Sequence, residues 1–342
     1  MPRGGAHFSP EELVRVLSHY DIGVVHKAQA VSAGNRLTPK MAVVSEKGKF
    51  FLKRRPGGKD DLSCVAFAHA VQDHLAQAGY PATSLVRTRD ENGTFLQIDH
   101  HIYEMFEFVS GNRYNGSAEA TLDAGRQLAA LHKQLVDFAS EPKPPRASFH
   151  DSAAVRSHLK TLGSNRLAGP DKQMQAAAEG LMSMYNNSSS LVNQRGFDSW
   201  DEQVIHGDWH PGNMLFAGDR IAAVLDFDSV RIAPPITDLA NAMLQFSIVG
   251  GRPNPAEWPD YFDEHKLIEV LTGYREVVEL DKHKLDSLLD LMIETMIAEA
   301  VLPVAATGFF GNLSGLDFLK MILRKTKWLE TNEEKLTHAI WA

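Results

Sequence analysis

Residues 206–213 read HGDWHPGN, and residues 226–228 read DFD after a short apolar stretch that separates the two motifs. An aspartate, an asparagine five residues later and a second aspartate form, in this order, a set suited to phosphoryl transfer. Asp208 can accept the proton of an attacking hydroxyl, while Asn213 and Asp226 can give oxygen ligands to Mg2+ beside nucleotide phosphates. The spacing therefore predicts a kinase with Asp208 as its catalytic base.

The amino-acid sequences of the two motifs resemble those of one family. VIHGDWHPGNMLF at 204–216 and AAVLDFDSVRIAPPITDLANAM at 222–243 are similar to the aminoglycoside phosphotransferase, choline kinase and homoserine kinase type II group, whose members phosphorylate small molecules. The resemblance implies an α+β, bilobal protein-kinase-like fold. It implies a β-rich nucleotide-binding lobe over residues 1–108 and a mostly helical catalytic and acceptor-binding lobe over residues 109–342. The implied cofactors are Mg2+ and ATP, or GTP, as phosphoryl donor.

Three more residues of the motif region receive roles from the same resemblance. His206 and Asp238 match residues that support the catalytic loop from behind, so we expect structural roles for both. Asp228 matches a position that varies in the family and is a further candidate metal ligand. Trp209 and His210 are interpreted as a packed aromatic ring and a surface imidazole.

Lys53 is the candidate lysine of the nucleotide site. It ends the run at residues 49–53, in which strand alternation places it on one face with Phe51. In the family this strand lysine pairs with the α- and β-phosphates of the nucleotide.

The helix glutamate that holds this lysine in the family has no counterpart here. The amphipathic pattern over residues 61–78 predicts the helix, but the matching positions are Ala68 and His69. Three aspartates stay open as substitutes, and the nucleotide alone is a further possibility. The three are Asp60, Asp61 and Asp73.

Two other segments are expected to bind the nucleotide. β-type runs over residues 24–31 and 41–53 flank a glycine-containing turn, which is expected to lie over the phosphates through Ser32, Gly34 and Asn35. Residues 101–111 read as a strand that enters a turn and resemble the segment linking the lobes, whose backbone meets the adenine. The positions expected there are Met105, Phe106, Glu107 and Phe108.

The acceptor is expected to be a small molecule. Only nine residues separate Asp228 from Asp238, which leaves little room for a long activation segment or a peptide platform. AGRQLAALH at 124–132, followed by Asp137-Phe138, looks most like homoserine kinase type II, so an amino alcohol or a homoserine-like hydroxy amino acid is favoured. Aminoglycosides and sugars stay open as alternatives. The acidic residues of the late apolar helical patterns, Asp286, Asp290, Glu294 and Glu299, are interpreted as a solvated helix face.

Composition narrows the partners and the location. A net charge of -8 and a pI near 6.0 argue against nucleic acid and fit a neutral or cationic acceptor. Cys64 is the one cysteine, and the start of the chain lacks the apolar core of a signal peptide, so a cytoplasmic location is expected. The apolar stretch at 297–310 is too short to span a bilayer, so no membrane contact is expected. The protein is expected to be a monomer or a homodimer.

Two other functions remain possible. His206, Asp208 and His210 at alternate positions would suit a metallohydrolase that binds zinc or a metal pair. A nucleotide-binding pseudokinase is the second alternative, because the helix glutamate is missing.

Two local features are also predicted: a helix that begins with a capping box at Ser9, Pro10 and Glu12, and a polar break at residues 186–190.

Overall fold

The computed structural model describes residues 7–31, 38–57, 60–141, 147–164 and 171–342. The chain forms two compact units. The first comprises residues 1–115, 137–145 and 212–230, and the second comprises residues 116–136, 146–211 and 231–342. The hairpin that carries Asn213 and the DFD motif therefore belongs to the same unit as the N-terminal strands, although helices of the second unit lie between them in the sequence.

The helices and strands of the first unit, labelled in chain order through the whole protein, are α1 (Pro10–Leu17), β1 (Val25–Ala30), β2 (Lys40–Ser45), β3 (Gly48–Arg54), α2 (Leu62–Gln77), β4 (Leu96–Ile98), β5 (His101–Glu107), β7 (Met214–Ala217) and β8 (Arg220–Val224). Five of the strands form an antiparallel sheet in the order β1-β2-β3-β5-β4, and β7 and β8 form a separate hairpin.

The predicted start of α1 is confirmed. The Ser9 hydroxyl accepts a hydrogen bond from the Glu12 amide at 3.1 Å, and the Glu12 carboxylate accepts one from the Ser9 amide at 3.3 Å. Pro10 occupies the first helical turn, where its missing N–H costs nothing. The helix packs on the sheet in an apolar core that includes Val16 and Leu52, so Lys53, the next residue of β3, lies on the opposite face of the strand.

The β-type run over residues 41–53 is two strands and not one. β2 and β3 form a tight hairpin that closes with the pair Ser45–Gly48, because the charged residues Glu46 and Lys47 interrupt the apolar alternation. Gly48 has a φ of 140°, which side chains rarely adopt. β3 pairs in turn with β5.

The second unit is mostly helical and contains short two-stranded ribbons. Its helices and strands are α3 (Ala118–Gln134), α4 (Ala153–Thr161), α5 (Lys172–Gln194), β6 (Gln203–Ile205), β9 (Arg231–Ala233), α6 (Pro235–Ser247), α7 (Glu264–Arg275), α8 (Lys282–Asp286), α9 (Leu288–Thr307), β10 (Phe309–Phe310), β11 (Leu313–Ser314), α10 (Gly315–Thr331) and α11 (Glu333–Trp341). The sheet-based unit and the mostly helical unit confirm the predicted α+β class.

Helices α3 and α7 cross at very close range. A Cβ atom added to Gly125 would lie 2.1 Å from the carbonyl oxygen of Val270, and one added to Gly273 would lie 2.0 Å from the carbonyl oxygen of Leu122. Only glycine therefore fits at both positions. The close crossing brings polar side chains of the two helices within hydrogen-bonding distance.

The polar run at residues 186–190 does not break the chain, contrary to the prediction, because it lies inside α5. Ser188 and Ser189 are buried, and the Ser189 hydroxyl donates to the carbonyl of Tyr185 one turn earlier. Tertiary packing thus overrides the weak helix propensity of serine and asparagine.

The interpretation of the late acidic residues as a solvated face is also wrong. Asp290 and Glu294 lie on α9 and are 6% and 1% exposed, because most of the circumference of that helix is buried. A helix that is apolar on all sides is typical of a buried element. Asp286 lies on α8 instead, where its carboxylate accepts a hydrogen bond from the indole of Trp341.

No helix in the described part of the chain combines the length and the apolar character that a membrane span requires.

Candidate active site

The loop after β6 carries Asp208 and is held by a buried carboxylate. Both oxygens of Asp238, in the first turn of α6, accept hydrogen bonds from this loop: from the His206 amide at 2.8 Å and from the Gly207 amide at 2.9 Å. Gly207 has a φ of 77°, a left-handed value that glycine adopts without strain. The loop backbone is therefore fixed at the two residues that precede Asp208.

Asp238 is itself held by two residues of the close helix crossing. The His132 ring lies 3.3 Å from the Asp238 carboxylate through Nε2 and 2.8 Å from the Tyr274 hydroxyl through Nδ1. Burial alone would raise the pKa of Asp238, but the hydrogen bond to His132 and the electrostatic interactions with His132, His206 and Arg231 outweigh burial and hold the pKa below its usual value. Asp238 therefore stays ionised as a hydrogen-bond acceptor for the loop.

His132 and Tyr274 did not emerge from the motif spacing as functional residues. The phrase at 124–132 contains His132, but only as part of a family resemblance. A histidine among apolar positions of a helix was the available signal, since such a side chain needs a polar partner when it is buried.

Asp208 is accessible, with a side chain that is 37% exposed. Its amide donates to Nδ1 of the fully buried His206, so the ring proton of a neutral His206 lies on Nε2. His206 thus contributes to the loop structure. The His210 ring reaches within 3.7 Å of the Asp208 carboxylate, whereas Trp209 is buried and packs edge-on against His206.

Glu299 on α9 belongs to the surroundings of Asp208. Its carboxylate accepts a hydrogen bond from the Gln245 side chain at 2.8 Å. Burial, followed by the negative charge of Asp208, raises the pKa of Glu299 to about 7, against the opposing charges of His210 and Arg231. The second unit therefore places a second, proton-holding carboxyl group in the electrostatic environment of the candidate base.

In the first unit, Lys53 lies among three carboxylates. Its Nζ atom is 2.7 Å from Asp228 Oδ2, 3.3 Å from Asp226 Oδ1 and 3.9 Å from Glu104 Oε2. Burial alone would lower the pKa of Lys53, but the charges of Glu104, Asp228 and Asp226 outweigh burial and raise it. Lys53 is therefore a buried, protonated cation, suited to binding phosphate.

The carboxylate opposite Lys53 comes from a strand and not from a helix. Glu104 on β5 is 1% exposed, and its Oε1 lies 2.7 Å from His69 Nε2 and 3.0 Å from Arg55 Nε. Burial would raise the pKa of Glu104, but His69, Lys53 and Arg55 outweigh burial and lower it. His69 lies on α2 and is, with Ala68, one of the two positions that were matched to the family's helix glutamate in the sequence.

Two of the three aspartates that were considered as partners of Lys53 interact with other residues. Asp61 caps α2 by accepting a hydrogen bond from the Cys64 amide, and Asp73 forms an ion pair with Arg87 at 2.6 Å. Glu104 is the residue that the sequence analysis missed. Its signal was a charged residue within an apolar strand, but its partner depends on the pairing of β3 with β5.

The β7–β8 hairpin brings two candidate metal ligands to one end. Met214 pairs with Val224, and the Leu225 amide donates to the Asn213 carbonyl at 2.9 Å, so Asn213 and Asp226 leave the hairpin at the same end. Asp226 has a φ of 59°, a left-handed value that is uncommon outside glycine and frequent at functional sites.

These two residues fit a Mg2+ site. Mg2+ needs few protein ligands, since it keeps several waters and takes oxygens from phosphates. The Asp226 side chain is 39% exposed and carries a carboxylate oxygen, and Asn213 adds an amide oxygen. Asp228 differs, because one of its oxygens is paired with Lys53 and the other with Arg55.

Seven further residues were predicted to contact the nucleotide, in the turn after β1 and at the end of β5. Ser32, Gly34 and Asn35 lie outside the described residues. In the segment 105–108, the Glu107 amide donates to the Ser84 carbonyl and the Phe108 amide to the Lys49 carbonyl, so neither N–H is available to an adenine.

The metallohydrolase alternative lacks its central requirement in the part of the chain that the structure describes. No group of three or more histidine, cysteine, aspartate or glutamate side chains is arranged there to hold a metal ion. His206 is also unsuited to such a site, since it is buried and accepts a hydrogen bond from the Asp208 amide.

Known proteins resemble this chain in sequence and in fold, and the solved structures confirm the predicted protein-kinase-like fold. A homoserine kinase of Methylocella silvestris is 25% identical over 221 residues, which cover 64% of this chain and 64% of that enzyme, so the match spans less than two thirds of the relative. Among solved structures, an amicoumacin kinase in complex with AMP-PNP, Ca2+ and amicoumacin has a TM-score of 0.70 at 15% identity, covering 95% of this chain and 94% of the other. A microcompartment-associated aminopropanol kinase has a TM-score of 0.68 at 14% identity, covering 96% and 99%.

These structural likenesses show the fold. The family assignment rests on a separate finding: the model of the phosphotransferase enzyme family matches residues 27–280, which is most of the 342-residue chain. The chain belongs to the phosphotransferase enzyme family.

Proposed function

We propose that the protein is an ATP-dependent kinase that transfers the γ-phosphoryl group to a hydroxyl of a small molecule. The observation that carries this proposal is the buried Lys53, protonated and held beside Asp226, which leaves the same hairpin end as Asn213. Nucleotide-dependent phosphoryl transfer requires a cation that binds phosphate and oxygen ligands that hold a divalent ion, and one unit carries both.

In the proposed mechanism, Asp208 accepts the proton of the acceptor hydroxyl as the phosphoryl group is transferred. General-base assistance of this kind contributes roughly 100-fold to 10,000-fold. Asp238 fixes the loop amides of His206 and Gly207, so Asp208 keeps its direction while its own carboxylate stays accessible.

Lys53, Asn213 and Asp226 would act on the nucleotide. Lys53 would bind the α- and β-phosphates, while Asn213 and Asp226 would hold Mg2+, which neutralises phosphate charge when it is bound. Asp226 would then exchange its ion pair with Lys53 for the metal. Glu104 and Asp228 would remain with Lys53 and keep its position.

The favoured acceptor is an amino alcohol or a hydroxy amino acid similar to homoserine. The support consists of the names of the similar proteins, a homoserine kinase and an aminopropanol kinase, and of the sequence phrase at 124–132. An aminoglycoside or sugar kinase is the second candidate, because an aminoglycoside phosphotransferase of Alicyclobacillus acidocaldarius shares the fold to a similar degree, with a TM-score of 0.71 at 17% identity.

Several finer assignments belong to this proposal. ATP is preferred over GTP because the amicoumacin kinase structure contains an ATP analogue, and Mg2+ is proposed as the physiological ion where that structure contains Ca2+. A cytoplasmic location and a monomeric or homodimeric state are proposed with it. The pseudokinase alternative is weakened, because Glu104 supplies the carboxylate whose absence from the helix motivated it.

The proposal is tested in two steps. Calorimetric titration measures the Kd of Mg2+-ATP, and we expect specific, saturable binding. ADP release is then measured with L-homoserine, 3-aminopropan-1-ol, an aminoglycoside and a hexose as acceptors. Absence of Mg2+-ATP binding would rule out the kinase, whereas binding without transfer to any acceptor would support the pseudokinase.

A further inference from the structure

The backbone directly before Asp208 lies beyond the end of a strand pair. The ribbon of β6 and β9 ends with the pair Ile205–Arg231. Gly207 follows this pair and is buried, so its carbonyl oxygen requires a hydrogen-bond donor other than a strand amide. Arg231 supplies that donor, because its Nη1 atom donates to the Gly207 carbonyl at 3.0 Å. The arginine side chain therefore continues a contact that the strand pairing no longer makes.

The peptide group between Gly207 and Asp208 is bound at both of its polar atoms. Its carbonyl accepts the bond from Arg231, and its N–H, which belongs to Asp208, donates to Nδ1 of His206 at 3.2 Å. The bonds from the loop to Asp238 involve N–H groups instead, those of His206 and Gly207. A peptide plane that is held from both edges cannot turn without breaking a hydrogen bond, and the plane before Asp208 sets the direction in which its side chain leaves the backbone.

The guanidinium of Arg231 is itself held in one plane. It lies over the Phe149 ring at 5.3 Å from the ring centre, within the range of a cation–π contact. A guanidinium is planar, always charged and presents its N–H donors in a rigid fork. A hydrogen bond from a charged donor is also stronger than one between neutral groups. Arg231 is thus a rigid and strong donor toward the Gly207 carbonyl.

We propose that Arg231 is a positioning residue for the candidate base: through the Gly207 carbonyl it fixes the peptide before Asp208, and thereby the direction of the Asp208 carboxylate toward the acceptor hydroxyl. The inference rests on the proposed function, because Asp208 takes a proton only in the kinase reaction. Arg231 acts through Asp208 and binds neither the acceptor nor the nucleotide. Its loss should therefore slow the transfer step and leave both affinities unchanged.

The first test needs no substrate. Arg231→Met keeps the length of the side chain and its apolar contact with Phe149 but has no N–H donor. Hydrogen–deuterium exchange, followed by mass spectrometry of peptides that cover residues 204–213, should be about tenfold faster in this variant, because a charge-assisted bond that holds the loop is lost. Exchange at the wild-type rate would overturn the proposal.

Arg156→Met is the matched control. The Arg156 guanidinium lies over the Tyr185 ring at 5.3 Å, and its Nη1 donates to the Asp151 carbonyl at 2.9 Å. It therefore makes the same two kinds of contact as Arg231, in a different segment of the same unit. We expect this variant to show neither faster exchange at residues 204–213 nor slower turnover. Equal effects of the two substitutions on the loop would mean that Arg231 acts through general stability, which overturns the proposal.

The second test separates turnover from binding. Single-turnover ADP formation is measured with the fastest of four acceptors: L-homoserine, 3-aminopropan-1-ol, an aminoglycoside and a hexose. We expect Arg231→Met to lower this rate about tenfold or more, with the Kd of Mg2+-ATP and the KM of the acceptor within about twofold of wild type. Arg231→Lys, which returns a charged donor, should recover part of the rate. A weaker Kd for Mg2+-ATP would make Arg231 a phosphate ligand, and an unchanged rate would make it purely structural; either result overturns the proposal.

A double-mutant cycle tests whether Arg231 acts through Asp208. In an Asp208→Asn background the base is absent, so Arg231→Met should lower the single-turnover rate less than about twofold further. An equal fold-loss in both backgrounds would show that the two residues act independently, which overturns the positioning role and leaves the kinase standing. Wild-type protein that fails to bind Mg2+-ATP, or that transfers phosphate to none of the four acceptors, would instead overturn the kinase and the role of Arg231 with it.

Discussion

Lys53 on β3 and Glu104 on β5 are direct cross-strand partners, with the ammonium nitrogen 3.9 Å from the carboxylate oxygen. Glu104 is also bonded to His69 on α2, at 2.7 Å. A residue of helix α2 therefore contacts the carboxylate beside the lysine, but the carboxylate itself comes from strand β5 and the helix contributes a histidine. This arrangement places a buried anion beside Lys53.

We expect Glu104→Gln to weaken Mg2+-ATP binding and to destabilise the fold. Glutamine can accept the hydrogen bond from His69, but it leaves Arg55 and Lys53 with less negative charge around them. Removal of one partner from a buried ion pair costs about 3 kcal/mol or more. Calorimetric Kd and thermal denaturation measure the two effects.

A double exchange tests the geometry directly. His69→Glu combined with Glu104→His returns the carboxylate to the helix, and we expect it to recover part of the ATP affinity that Glu104→Gln loses. Glu91→Gln, at an exposed turn of the same unit, is the matched control. Equal Kd values for wild type and Glu104→Gln would show that Lys53 does not depend on Glu104.

Asp208→Asn tests the candidate base. Asparagine has nearly the same shape but cannot accept the proton, so we expect kcat to fall at least about 100-fold. Mg2+-ATP affinity should stay within about threefold, since the assigned role concerns the acceptor hydroxyl. Single-turnover ADP formation measures the first effect and calorimetry the second; turnover near the wild-type rate would refute the assignment.

Asp226 and Asp228 differ in their expected response to Mg2+. Asp226→Asn should raise the Mg2+ concentration needed for nucleotide binding, because it removes a charged oxygen ligand. Asp228→Asn should leave the Mg2+ requirement almost unchanged and lower the melting temperature, because both Asp228 oxygens are paired with Lys53 and Arg55. Titration of Mg2+ at fixed ATP compares the two variants; equal shifts would make Asp228 a metal ligand as well.

The sequence motifs were informative where function depends on local spacing. The spacing of Asp208 and Asn213 within HGDWHPGN is local, so a motif can represent it. The capping box of α1 was predictable for the same reason, since it depends on the four residues from Ser9 to Glu12. Short-range patterns of this kind need no knowledge of the tertiary structure. The hydrogen bonds from His206 and Gly207 to Asp238 span 32 and 31 residues, and the role of Asp238 was expected only from the family resemblance.

Long-range contacts were not predictable in the same way. The partner of Lys53 follows from the pairing of β3 with β5, which no local pattern determines. The polar run at 186–190 forms a helix because neighbouring helices bury Ser188 and Ser189. The burial of Glu294 was signalled by the apolar residues on every side of α9, so that misinterpretation was avoidable.

Glu299 gives the protein a pH-dependent stability that a single substitution should remove. The folded protein keeps a proton on Glu299 up to a pKa of about 7, while the ordinary pKa of such a carboxyl group is 4.5. Between these values the folded state binds more protons than the unfolded state, so the free energy of unfolding falls as pH rises through this range.

Glu299→Gln keeps an acceptor for Gln245 and abolishes the titration. The melting temperature of the variant minus that of the wild type should therefore increase as pH rises from about 5 to 8. Glu179→Gln, at an exposed position on α5, is the control. In an Asp208→Asn background the difference in melting temperature should begin at the same pH but level off below pH 7, because the charge of Asp208 is one cause of the raised pKa. A difference in melting temperature that is independent of pH would contradict the assignment of a proton to Glu299.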